Sequence, residues 1–111
     1  MRKTNLEMMR GDTLSFGIEI EFDESPQQLD KAYFTVKENR DDDPIFQKSI
    51  GSGISYSKTE GNKLYYILRV EPTDTKNVEA GKYYYDLQIE LNHDVFTVLY
   101  GALDIYDDVT K

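Results

Sequence analysis

In the segment TLSFGIEIEF, the apolar residues Leu14, Phe16, Ile18, Ile20 and Phe22 alternate with Ser15, Gly17, Glu19 and Glu21. Period-two alternation puts the apolar set on one face of an extended chain, whereas a helix would scatter it around its circumference. KAYFTVKE repeats the pattern, with Ala32, Phe34 and Val36 against Tyr33, Thr35 and Lys37. KLYYILRVE sets Leu64, Tyr66, Leu68 and Val70 on one side. YYYDLQIEL sets Tyr83, Tyr85, Leu87, Ile89 and Leu91 against Tyr84, Asp86, Gln88 and Glu90. The last run, VFTVLYGALDIY, is apolar on both faces for much of its length, and NLEMM, PIFQKSI and GISYS predict shorter strands.

Between these runs lie DESPQQ, NRDDDP, GSG, EGNK and NHD, all turn or loop compositions. TDTKNVEAG predicts one short helical turn, and no interval holds a crossover helix, which excludes parallel βαβ units. Short strands at this spacing predict an all-β fold: a single immunoglobulin-like antiparallel β-sandwich of about seven to eight strands. Its one domain spans residues 1–111.

VEAGKYYYDLQI carries the most specific local signal. A turn closing at Gly81 leads into Tyr83 and Tyr85, two residues apart at a strand start. Immunoglobulin-type sandwiches place a tyrosine there and bond its hydroxyl to the backbone just upstream. Tyr83 suits that corner role, and Tyr85 suits the following core position.

The chain also resembles a bacteriophage family through RGDTLSFGIEIEF, AYFTVKENRDDDPIFQKSI, DTKNVEAGKYYYDLQIEL and FTVLYGALDIYDDVT, in that order. These segments are similar to the N-terminal domain of the phage baseplate upper protein and its small prophage relatives. The resemblance implies an immunoglobulin-like domain built into a tail or baseplate, without catalysis. It also implies synthesis in the bacterial cytoplasm and assembly into the virion, with other virion proteins and further copies of itself as partners.

Charge narrows the range of partners. Asp and Glu outnumber Lys and Arg by 21 to 13, for a net charge of −8, and the lysines are scattered singly along the chain. Such a balance repels phosphate backbones and predicts no nucleic-acid partner. The sequence has no cysteine, so disulfides and thiolate metal sites are ruled out, and the composition fits a reducing compartment. MRKTNLEMMR has no apolar stretch behind its basic residues, so neither a secretory signal nor a membrane span is expected.

Candidate chemistry is sparse. His93 falls in a hairpin tip, exposed to water and without an orienting partner. Asp41, Asp42 and Asp43 are consecutive, so their side chains diverge, unlike the alternating ligands of a calcium loop. Glu19 and Glu21 share an outer strand face at roughly 7 Å, a spacing glycosidases use, but no aromatic pocket is evident beside them. Arg10-Gly11-Asp12 matches an adhesion motif, yet its place before a long strand predicts a turn with positive φ at Gly11. No cofactor, metal or catalytic residue is expected.

What remains is surface. Parity counted back from Asp104 puts Leu99, Leu103 and Ile105 inside and Phe96, Val98 and Tyr100 outside. With Tyr33 and Tyr84 these form an expected aromatic contact patch, the composition of a partner surface. The expected function is therefore a non-catalytic virion assembly module. The alternative is a carbohydrate-binding module that stacks sugars on exposed tyrosines.

Overall fold

A computed structural model describes residues 2–109. Its elements in chain order are β1 (Arg2–Lys3), β2 (Leu6–Met9), β3 (Leu14–Glu21), β4 (Lys31–Lys37), β5 (Phe46–Ile50), β6 (Gly53–Glu60) and β7 (Lys63–Val70). The helical turn α1 (Pro72–Thr75), β8 (Gly81–Leu91) and β9 (Asp94–Tyr106) complete the chain. The strands hydrogen-bond in the order β1-β9-β8-β4-β5-β6-β7-β3, with β2 also on β9. The sheet curls over on itself between β5 and β6. There a two-residue parallel bridge, Ser49 to Gly53 and Ile50 to Ile54, carries the chain from one layer to the other. The outcome is the immunoglobulin-like β-sandwich.

The alternation seen in the sequence is what closes the core. Ile18 and Ile20 of β3, Leu64, Tyr66, Leu68 and Val70 of β7, and Ile54 of β6 line one layer. Phe34 and Val36 of β4, the odd-numbered residues Tyr83 to Leu91 of β8, and Leu103 and Ile105 of β9 line the other. Phe16 meets Phe34 edge-on across the layers at 6.3 Å between ring centres. Tyr85 packs against Phe34 at 5.3 Å while its hydroxyl donates to the Thr4 carbonyl at 2.6 Å. A large ring can thus be buried without orphaning its polar end.

Two features differ from the purely antiparallel expectation of seven to eight strands. The sheet has nine strands among the described residues, and β1 and β2 run parallel to β9. Parallel neighbours normally need a long crossover, so the short loop between β5 and β6 allows them only a two-residue bridge. The first and last strands escape that rule because the whole domain is their crossover. The helical turn also begins earlier than the sequence suggested, at Pro72, where a fixed φ and a missing N–H suit a first turn.

The Arg10–Asp12 segment is the turn between β2 and β3, with Gly11 at φ 77°. Gly11 is buried, and its N–H donates to Thr75 Oγ1 at 2.8 Å. Arg10 pairs with Asp107 at 3.1 Å and with Asp108 at 3.0 Å. The tripeptide therefore ties the β2–β3 turn to α1 and to the acidic residues after β9. An adhesion ligand would need its Arg free and its Gly at a protruding tip.

Candidate functional site

Tyr83 and Tyr85 flank the entrance to β8, the strand that organises the candidate surface. The Tyr83 hydroxyl donates to the Glu79 carbonyl at 2.6 Å, closing the corner that the turn before Gly81 suggested. Burial of the ring pushes the Tyr83 hydroxyl pKa up. With Tyr83 and Tyr85 turned inward, Lys82, Tyr84, Asp86 and Gln88 face out.

β4 and β9 flank β8 and extend its outer face. Register places Thr35 and Tyr100 on either side of Asp86, with Lys3 of β1 beyond Tyr100. Lys37 lies opposite Tyr84, and Tyr33 opposite Gln88. Tyr33 and Tyr84 are 37% and 40% exposed, and Tyr100 is half-buried. These three expected patch residues therefore share one outward face.

Phe96 and Val98 do not join them. The β8–β9 ladder slips between Leu87 and Gln88, pairing Leu87 with Leu99 but Gln88 with Thr97. Val98 is the extra residue of a β-bulge, which reverses the side-chain alternation on the near side of it. Phe96 consequently lies opposite buried Ile89, on the core side of β9 where the layers part, and remains 48% exposed. Val98 packs partly against the core. Counting parity from Asp104 holds down to Leu99 and fails beyond it.

The outer face contains a concavity of about 610 Å³ whose lining includes Tyr84 and Tyr100. Lys3, Lys37, Arg40 and Lys82 also line it, in a chain whose net charge is −8. These cations lie far apart in sequence, and only the pairing of β1, β9, β8 and β4 gathers them, so no local motif announced the cluster. Asp86 sits among them, half-buried. Desolvation raises its carboxyl pKa, and the nearby Lys37 ammonium partly offsets that rise.

The paired carboxylates of β3 have a different environment from the one their sequence suggested. Glu19 accepts a hydrogen bond from the Tyr65 hydroxyl at 2.7 Å, with Lys63 at 3.7 Å. The Tyr65 bond, followed by the Lys63 charge, lowers the Glu19 pKa, and the same bond pushes Tyr65 up to about 12. An aromatic side chain does stand beside Glu19, contributed by the neighbouring strand. A carboxylate held ionised in this way is a poor proton donor.

His93 and Asn92 form the two-residue tip of the β8–β9 hairpin, at φ 71° and 53°. Asp41, Asp42 and Asp43 are exposed, and Asn39 donates to Asp42 at 3.0 Å. Among the described residues no three His, Cys, Asp or Glu side chains form a metal-binding group. No helix among them is long and apolar enough to cross a membrane.

No protein-family model and no curated protein matches the chain. Among solved structures it is similar to a family 123 glycoside hydrolase from Clostridium perfringens, with TM-score 0.58 and 12% identity. The match covers 98% of this chain but only 24% of the hydrolase, so the likeness is to one part of that enzyme and concerns fold alone. A structure of voltage-gated sodium channel (VGSC) beta subunits aligns at TM-score 0.45 and 12% identity, covering 96% of this chain and 93% of that one. The ZIG-8–RIG-5 IG1–IG1 heterodimer aligns at 0.37 and 16%, covering 94% and 82%.

Proposed function

We propose that this protein is a non-catalytic assembly module of a bacteriophage or prophage virion, working through protein–protein contacts in a tail or baseplate. The observation that carries the reading is the outer face of β4, β8 and β9, where Tyr33, Tyr84 and Tyr100 stand together on neighbouring strands. Tyrosine offers a large contact area at low conformational cost, and clustered exposed aromatics mark partner surfaces. The resemblance of the ordered segments to baseplate domains supplies the context. It implies synthesis in the bacterial cytoplasm and incorporation into the particle, with further copies of the chain and other virion proteins as partners. Virion tails are built on closed rotational symmetry, so self-association is part of the reading.

Light scattering coupled to size-exclusion chromatography tests it. The wild-type protein should self-associate, and Tyr84→Ala with Tyr100→Ala should leave a folded protein of lower mass. An oligomer mass unchanged by both substitutions would sink the proposal. A second reading, saccharide binding, is favoured by the tyrosines that line a concavity beside the Asp86 carboxylate. Binding on a glycan array that is lost in the same variants would select it.

A further inference from the structure

The assembly reading leaves open what the outer face recognises. The concavity there has four cations in its lining and one carboxylate, Asp86. Lys3, Arg40 and Lys82 have no ion-pair partner among the described residues. On other parts of the fold Lys48, Lys58, Lys63 and Arg69 are each paired with a nearby acid, while Lys31 and Lys76 have no such partner among the described residues. An acidic protein thus gathers a positively charged cluster on the face that carries its exposed tyrosines.

The spread of these charges indicates the size of the occupant. β4, β8, β9 and β1 are consecutive neighbours, so Lys37 and Lys3 stand about three strand spacings apart, roughly 14 Å. A single small anion cannot bridge that span. Several carboxylates fanned out on one loop can instead meet several of these cations at once. The loop after β4 carries three in Asp41, Asp42 and Asp43, all exposed and directly following Arg40 at the rim of the concavity. The Asp42 N–H bonds back to the Asn39 carbonyl at 3.0 Å in a turn that spreads their side chains.

Resting on the assembly reading, we propose that a second copy of this chain occupies the concavity, inserting its Asp41–Asp43 loop among the lysines while receiving the first copy's loop in return. Donor loop and acceptor surface lie side by side on one protomer. A two-fold axis therefore lets each copy play both parts, as an isologous interface requires. Tyr84 and Tyr100 supply the apolar floor, and the charges set register and partner choice. Asp86 in the lining and Asp104, across from Lys82, are like charges that the incoming carboxylates meet, so both weaken the contact.

Charge reversal in solution tests the proposal, with sedimentation and light scattering as readouts and circular dichroism to confirm folding. The wild-type dimer should weaken at least about tenfold as salt shortens the Debye length from ~10 Å at 0.1 M to ~3 Å at 1 M. Lys3→Glu with Lys82→Glu should give a monomer, as should Asp41→Lys with Asp43→Lys. An equimolar mixture of the two variants should recover a heterodimer, because each loop then meets a concavity of opposite sign. Asp86→Asn should tighten the wild-type dimer.

A dimer indifferent to salt and to both reversals overturns the charged contact while leaving the tyrosine-mediated assembly standing. Failure of the two monomeric variants to combine overturns the reciprocal insertion. A wild-type protein that stays monomeric at every concentration overturns the inference and the assembly reading together.

Discussion

The Tyr83 hydroxyl caps the Glu79 carbonyl at 2.6 Å, locking the turn that feeds β8. The ring is buried while the bond reaches back only four residues, so the contact fixes the angle at which the chain enters the sheet. Tyr83→Phe keeps the ring and removes the donor. It should lower stability by about 1 kcal/mol in urea unfolding, the usual net worth of one hydrogen bond. A variant indistinguishable from wild type would show that the bond contributes nothing.

Gly101 faces a different constraint. A Cβ built there would overlap the Thr4 carbonyl oxygen and sit 3.1 Å from Asn5 Oδ1, in the segment joining β1 to β2. The backbone oxygen cannot move away as a flexible side chain would. Gly101→Ala should therefore push the N-terminal strands off β9 and destabilise the fold by roughly 2 kcal/mol, within the range for overpacking. Amide exchange should quicken first in residues 2–9, and uniform protection across the variant would contradict this account.

Lys48 and Asp74 form the pair most shielded from water. Lys48 Nζ lies 2.5 Å from Asp74 Oδ2, and the two side chains are 9% and 18% exposed. The same Asp74 oxygen accepts the Glu71 N–H at 2.7 Å, so the pair joins β5 to the helical turn. Asp74→Ala should cost about 3 kcal/mol because it strands a buried ammonium. Adding Lys48→Met should restore part of that loss. A double variant less stable than Asp74→Ala would contradict this account, because Lys48 would then be stabilising even without its partner.

The pH dependence associated with Asp86 follows from the direction of its shift. Burial raises the carboxyl pKa in the folded protein, so the folded state holds the proton more tightly than the unfolded chain does. Stability then falls as pH rises from the unfolded value through the folded one. Asp86→Asn removes the titrating charge. Its melting temperature should exceed that of wild type at about pH 7, and the difference should vanish at a pH below both values. A constant gap between the two proteins from acid to neutral pH would refute the assignment.

Period two made most of this fold readable. The inward sets of β3, β4, β7 and β8 follow directly from alternation, because each of those strands has one wet and one dry face. The Tyr83 corner was readable because its chemistry is local. The face of Phe96 was not, because a bulge at Val98 leaves no mark in a run that is apolar on both sides. Nor was the Lys3, Lys37, Arg40 and Lys82 cluster, which depends on which strands become neighbours. Tyr65 beside Glu19 escaped for the same reason, since cross-strand register decides that contact.

The parallel seam between β2 and β9 has a mechanical consequence. Leu6 to Met9 run alongside Leu103 to Tyr106 in the same direction, and the chain's two ends leave that seam at opposite ends. Tension applied at the termini would pull the two strands lengthwise past each other and load their hydrogen bonds together. An antiparallel edge hairpin pulled at its open end would instead unzip one bond at a time. This domain is accordingly built to resist stretching along its own axis.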